Sequence, residues 1–205
     1  RRLLSREPDG SLGQHADLSE VSRKPWNDIV VDDRGNAYVN NIGFDFPEGD
    51  FAPGLVVLVT PEGRVAQVAD GVAFPNGMAI APDGQTLIVA ESYANRLTAY
   101  DIGGDGGLDN RRVWAETPGD HPDGICIDAE NAGWYGDVPN KCCVRVREAG
   151  AVLQTIELDR GCFACTLGGT DKSTLFVILA EWRGMEQIPE VARARTGQVL
   201  TVKAP

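Results

Sequence analysis

The sequence is short of histidine, of basic residues and of long apolar runs, and each shortage removes a class of function. His15 and His121 are the only histidines among 205 residues, so a histidine-rich metal centre is excluded. Lys and Arg number 19 against 30 Asp and Glu, for a formal net charge of −11. That sign argues against nucleic acid, whose phosphates need a basic face, and against an anionic membrane surface. No run of about 18 apolar residues occurs, so nothing reads as a membrane-spanning helix. No Gly-x-Ser-x-Gly nucleophile elbow is present. No long amphipathic helix interrupts the chain, and Gln187–Thr196 reads as a loop with a single turn. The five cysteines, Cys126, Cys142, Cys143, Cys162 and Cys165, are odd in number in a chain too large to need staples. Reduced thiols and a cytoplasmic location are the expectation. Cys162-Phe163-Ala164-Cys165 has CxxC form but lacks a second pair at metal-binding spacing, so these thiols read as core residues.

What is present is repetition. Trp26-Asn27-Asp28-Ile29-Val30-Val31-Asp32, Pro75-Asn76-Gly77-Met78-Ala79-Ile80, Pro122-Asp123-Gly124-Ile125-Cys126-Ile127-Asp128 and Phe163-Ala164-Cys165-Thr166-Leu167-Gly168 are versions of one phrase. Each is followed by a turn and a second apolar run. Their separation of roughly 40 to 50 residues is the period of propeller blades.

Short strands group in fours around this phrase. Ile29–Asp32, Ala37–Asn40, Leu55–Val59 and Val65–Ala69 form one group; Met78–Ala81, Leu87–Ala90, Leu97–Asp101 and Arg112–Ala115 a second; Ile125–Asp128, Gly133–Gly136, Val144–Arg147 and Val152–Leu158 a third. Many are apolar at consecutive positions, as sheets covered on both faces require. Pro8-Asp9-Gly10, Asp33-Arg34-Gly35, Pro61-Glu62-Gly63 and Pro82-Asp83-Gly84 supply hairpin turns with Gly where φ is positive.

The segment from Arg2 to Asp17 matches Leu55 to Asp70, so the chain starts in the second half of a blade; Leu175–Ala180 and Gly197–Val202 continue the fourth repeat. The expectation is a single all-β propeller domain over residues 1–205, with about four to five blades present and N-terminal blades missing, because a ring must close to hide its edges; the alternative is that another chain completes the ring. The natural start is then expected upstream, which leaves a signal peptide open. Two inserts, Asn41–Pro53 with Phe44, Phe46 and Phe51, and Arg183–Thr196, break the rhythm at equivalent places. Such loops form lids, or the Phe residues anchor the loop on its blade.

Equivalent repeat positions lie on a ring about a propeller axis. Asn27, Asn76 and Asp123 occupy one such position in three successive blades and should converge at the channel mouth. One carboxylate with amide oxygens suits a hard divalent cation; capping of their own turns is the competing use. Ala164 is read as the fourth member, which ligates nothing. Glu91, Asp137 and His121 stand near these motifs and are weaker candidates.

On WNDIVVDDRGNAYV, FPNGMAIAPDGQTLIVAES, HPDGICIDAENAGWYGDVPN and the stretch from Gly161 through Ala180 followed by GQVLTV, the chain resembles the gluconolactonase/regucalcin (senescence marker protein) family of sugar lactonases. The resemblance runs from Arg2 over essentially the whole chain. It implies a six-bladed β-propeller, incomplete here at the N-terminus, with one divalent cation near the axis. It implies hydrolysis of a small lactone such as gluconolactone. Asn76 and Asp123 would be metal ligands, Asp123 would also assist the attacking water, and Asn27 would bind substrate. Calcium comes first as the ion, with Zn²⁺, Mn²⁺ and Mg²⁺ as alternatives. The family's glutamate ligand has no counterpart in this chain. Pro25 stands where animal members place a substrate-binding Arg, and Lys24 beside it is a point charge rather than a planar fork. The other reading is a calcium- or ligand-binding propeller module without turnover, or an inactive fragment. The expected partner is the small-molecule lactone, with no nucleic acid and no membrane, and the oligomeric state is left open.

Overall fold

A computed structural model describes every residue, 1–205. Seventeen strands form five antiparallel sheets. A hairpin of β1 (Arg2–Arg6) and β2 (Leu12–Asp17) comes first. Four-stranded meanders follow: β3 (Trp26–Val31), β4 (Ala37–Asn41), β5 (Gly54–Val59) and β6 (Val65–Val72); β7 (Pro75–Ile80), β8 (Thr86–Glu91), β9 (Arg96–Ile102) and β10 (Leu108–Glu116); β11 (Pro122–Ile127), β12 (Gly133–Asp137), β13 (Cys142–Val146) and β14 (Val152–Glu157). The last sheet has three strands, β15 (Gly161–Gly168), β16 (Thr174–Ala180) and β17 (Gln198–Lys203). The expected turn residues Gly10, Gly35, Gly63 and Gly84 all take positive φ.

The consecutive apolar residues are explained by the stacking of these sheets. On β8, Leu87 and Val89 face back to the preceding sheet, where they meet Tyr38, Val56 and Leu58. The alternating residues Ile88 and Ala90 face forward, to Tyr135 and Val144. A strand covered on both sides has no polar face to alternate with. The same logic seats Ala16 and Leu18 of the hairpin region on Val57 and Val59, and Trp134 and Cys143 on Cys162, Leu175 and Val177. Innermost strands touch in sequence: β3 lies against β7, β7 against β11 and β11 against β15. That is a β-propeller arrangement, with inner strands about an axis and sheets fanning outward.

Both inserts join the second and third strands of their sheets, so they rise from the same end. In the first, Phe44 is buried and meets the rings of Phe46, Phe51 and Phe74 at 6.1, 5.8 and 5.8 Å, so the anchoring role holds for Phe44. In the second, the expected loop is instead a 3-10 turn, Met185–Gln187, leading into a two-turn helix α1 (Ile188–Ala194). Pro189 sits in its first turn, where a missing N–H costs nothing, and Glu190 to Ala194 are mostly good helix formers. Seven residues are too few to display a helical period in sequence. All five cysteines are free thiols, four of them buried. No helix is long and apolar enough to cross a membrane.

Candidate functional site

Each inner strand carries the same irregularity near its start. Its register with the second strand slips between Trp26 and Ile29, Pro75 and Met78, Pro122 and Ile125, and Cys162 and Ala164. A bulge leaves one residue unpaired and re-aims its side chain. Asn27, Asn76, Asp123 and Phe163 stand at these bulges, and all four line one pocket.

The glycines after Asn76 and Asp123 have a packing reason. A Cβ on Gly77 would lie 2.5 Å from the Ile125 nitrogen and 2.6 Å from the Asp123 carbonyl oxygen. A Cβ on Gly124 would lie 2.7 Å from Ala164 Cα. The inner strands approach so closely that no side chain fits between them. These contacts match Gly77 to Gly124 and Gly124 to Ala164. The fourth-blade counterpart of Asn76 and Asp123 is therefore Phe163, and Ala164 is the counterpart of the glycines. The sequence reading was one residue off, because Ala164 replaces the Gly that marks the motif elsewhere.

A hydrogen-bond network holds the floor of the pocket. Asn27 Nδ2 donates to Asn76 Oδ1 at 3.3 Å and to the Pro75 carbonyl at 3.2 Å. Asn76 Nδ2 donates to Ser92 Oγ at 3.3 Å, and Ser92 Oγ donates to the Pro122 carbonyl at 2.7 Å. The buried Asn40 donates to the Asn76 carbonyl at 2.5 Å and accepts from the Asp28 amide at 3.0 Å. Asp28 in turn accepts from the Met78 amide at 2.7 Å. Asn40, Ser92 and Asp28 thus position the site, and these three residues are ones that sequence reading missed. Asn40 lies on the second strand β4, Ser92 on the connection after β8 and Asp28 on the inner strand β3 beside Asn27, and nothing in their spacing marks them as partners of the site.

Burial pushes the Asp123 carboxyl up to about 7; a hydrogen bond from Asn76 pulls it down, and the charges of Asp28 and Asp137 add to the rise. Burial likewise raises Asp28. No Lys or Arg lines the pocket. Lys24 is paired with Asp45 at 2.7 Å and faces a separate recess with Arg1 and Arg23. A carboxylate removed from water, beside like charges and without a basic partner, is an environment that a cation relieves. The donors are oxygens of one carboxylate and two amides, the chemistry of Ca²⁺ or Mg²⁺. No group of three or more His, Cys, Asp or Glu side chains is arranged to hold a metal ion, so a cation here would rest on one carboxylate and neutral oxygens.

The two weaker acidic candidates differ. Burial raises Glu91, but bonds from the Ala73 amide and Thr98 and the charges of Arg96 and Arg111 outweigh it and hold its carboxyl below the ordinary value. Glu91 is committed to the protein. Asp137 accepts from the His121 amide at 2.9 Å and from Asn140, and acts on the site through its charge. His121 lines the pocket.

The cavity holds about 390 Å³ and its upper wall is aromatic. Phe74 and Tyr93 stack with centroids 4.6 Å apart, and Phe163 meets Trp182 edge-on at 6.2 Å. Phe74 is held at φ 56°, directly before Pro75. A left-handed backbone costs a bulky residue about 1–2 kcal/mol, and the rings of Phe44, Phe46 and Tyr93 hold Phe74 in place.

Known proteins resemble this chain along most of its length. A family model described as the SMP-30/Gluconolactonase/LRE-like region matches residues 2–181. Diisopropyl-fluorophosphatase of Loligo vulgaris is 32% identical over 149 residues, covering 63% of this chain and 46% of that protein. Regucalcin of Danio rerio is 29% identical over 171 residues, covering 80% and 58%. The 6-deoxy-6-sulfogluconolactonase of Pseudomonas putida is 27% identical over 184 residues, covering 87% and 62%. The chain spans about half the length of such relatives. Among solved structures, a luciferin-regenerating enzyme superposes with a TM-score of 0.82 at 19% identity, covering all of this chain and 71% of that one. A calcium-binding regucalcin from Agrobacterium tumefaciens gives 0.79 at 22% identity with the same coverage.

Proposed function

This chain belongs to the SMP-30/Gluconolactonase/LRE-like family, and we propose that it carries the site of a divalent-cation-dependent lactone hydrolase. The carrying observation is the convergence of Asn27, Asn76 and Asp123 on the floor of one pocket that no Lys or Arg lines. Asn76 and Asp123 would hold the cation, with Ca²⁺ the first choice by donor type. When bound, that ion supplies Lewis-acid polarisation of the lactone carbonyl and positive charge opposite the developing oxyanion.

The chain's own groups do the rest. Asp123 accepts the proton of the attacking water as its oxygen bonds to the carbonyl carbon. The ring C–O bond then breaks, and the same proton returns from Asp123 to the leaving alkoxide, giving a hydroxy acid. Asn76 contributes a neutral oxygen, so the positive charge is not cancelled. Asn27 donates to a lactone oxygen in exchange for its present partners. The aromatic wall excludes water from the reacting face.

The relatives' names include a 6-deoxy-6-sulfogluconolactonase and a diisopropyl-fluorophosphatase, and these set the substrates to be tried. The test is turnover of a panel of lactones and diisopropyl fluorophosphate with Ca²⁺, Mg²⁺, Mn²⁺ and Zn²⁺. Hydrolysis that needs a cation and is lost in Asp123→Ala is the expected result; full activity of that variant would refute the assignment. The second reading, a cation- or ligand-binding module without turnover, is favoured by the likeness to a solved regucalcin described as a calcium-binding protein and to regucalcin relatives. Cation binding with no hydrolysis of any substrate would select it.

A further inference from the structure

The floor and the wall of the pocket ask for different parts of one ligand. The floor presents amide and carboxylate oxygens, whereas nine of the fifteen lining residues are hydrophobic. Phe46, Phe74 and Tyr93 form one side; Phe163, Trp182 and Met185 form the other. At the bulge position where three blades carry Asn or Asp, the fourth carries Phe163. The remaining polar groups offer little to a sugar. Ser92 Oγ is occupied by Asn76 and the Pro122 carbonyl, which leaves only His121 and the polar tips of Tyr93 and Trp182 beyond the floor residues. Lys24, the basic residue closest in sequence to Asn27, is tied to Asp45 outside the pocket. A polyhydroxylated ring seated here would press hydroxyls against phenyl faces and leave them without partners.

Resting on the hydrolase reading above, we infer that the substrate is a lactone bearing an apolar substituent, an alkyl or aryl group of several carbons. Its carbonyl lies on the floor at Asn76 and Asp123. Its substituent lies between the Phe74–Tyr93 pair and the Phe163–Trp182 pair. A cavity of about 390 Å³ accommodates a five-membered ring with such a chain. The residues that set specificity are then the aromatic ones, and two of them, Phe46 and Trp182, belong to or adjoin the inserts that interrupt the blades.

The test compares γ-nonalactone with glucono-δ-lactone on the full chain supplied with Ca²⁺. Expected is a kcat/KM at least about tenfold higher for the alkyl lactone, the scale on which an apolar pocket discriminates a few carbons. Tyr93→Ser and Met185→Ser should each lower that ratio several-fold. Binding is read separately from turnover: the alkyl lactone should shift Trp182 emission to the blue with saturation, an effect absent in Trp182→Phe, and gluconolactone should not. Hydrolysis of gluconolactone at an equal or higher kcat/KM overturns the apolar class and leaves the hydrolase standing. A saturable emission shift with the alkyl lactone alone, without hydrolysis of either, supports the apolar class and overturns the hydrolase. Neither binding nor turnover with either lactone overturns both.

Discussion

Two rings of polar side chains lie next to each other at the same end of this propeller, and they have opposite fates. Asn41, Glu91 and Asp137 sit on second strands, opposite Trp26, Pro75 and Pro122 of the inner strands. Each is used up by the protein. Asn41 donates to the Lys24 carbonyl and accepts from the Gly43 amide. Glu91 takes the Ala73 amide, Thr98 and two arginines. Asp137 takes His121 and Asn140. The bulge ring, Asn27, Asn76 and Asp123, bonds within itself and to the neutral Pro75 carbonyl and Ser92 hydroxyl, and faces the pocket. A carboxylate with two guanidinium partners is structural cement; one with only like charges and amides around it is available for a ligand. Polarity at a strand end does not separate the two cases, whereas the partners do.

Exchange of effects between the rings tests this contrast. The largest expected effect is in Asp123→Ala, which should lose activity by about 10²- to 10⁴-fold, the range for a removed general base. Its thermal midpoint should stay at or above that of the parent, because an uncompensated buried charge has gone. Glu91→Ala should do the reverse. It leaves Arg96 and Arg111 unpaired and should cost about 3–5 kcal/mol of stability by chemical denaturation, with turnover per folded molecule retained. If the two variants behaved alike, the two rings would not be distinct.

Smaller effects sharpen the picture. Gly77→Ala pushes a methyl into the Asp123 and Ile125 backbone and should cost about 1–3 kcal/mol, read as a lower denaturation midpoint. Asn76→Ala should weaken cation affinity by about tenfold, on the scale of one lost ligand-network contact, measured by titration. The pH response of the cation-free chain is the most subtle. The Asp123 carboxyl has its folded value raised from 3.8 to about 7, so folding favours the protonated form. The corresponding stability is present in full below the lower value and is lost as pH rises through the higher one. Asp123→Asn should flatten that part of the stability profile. Glu91 has the opposite sign: its contribution is present above the ordinary carboxylate value and fades as pH falls through its depressed one.

The blade repeat was legible because it is written twice, in apolar runs buried on both faces and in turn residues of fixed geometry. Asn27, Asn76 and Asp123 could be found because one position recurs in three blades. The fourth member was misplaced: a bulge adds a residue to one strand without changing its composition, so Phe163 and Ala164 could not be ordered until backbone contacts ordered them. Helix α1 escaped for want of length. Asn40, Ser92 and Asp28 escaped because a side chain that orients another across 12 to 50 residues of chain leaves no local pattern. The aromatic wall was visible only in part, through Phe46 of the first insert. Phe74 and Tyr93 come from ordinary connections, and only the closure of neighbouring blades brings them to Phe163 and Trp182.

Calorimetric titration of the metal-free chain with CaCl₂ near pH 6.5, run in two buffers of different ionisation enthalpy, tests the central assignment most directly. Cation binding at the bulge ring must drive a proton from Asp123, so the account predicts single-site binding with a substantial fraction of one proton released per ion, and loss of that release and of most affinity in Asp123→Asn. Binding of undiminished affinity in Asp123→Asn, or no saturable binding in the parent chain, would contradict it.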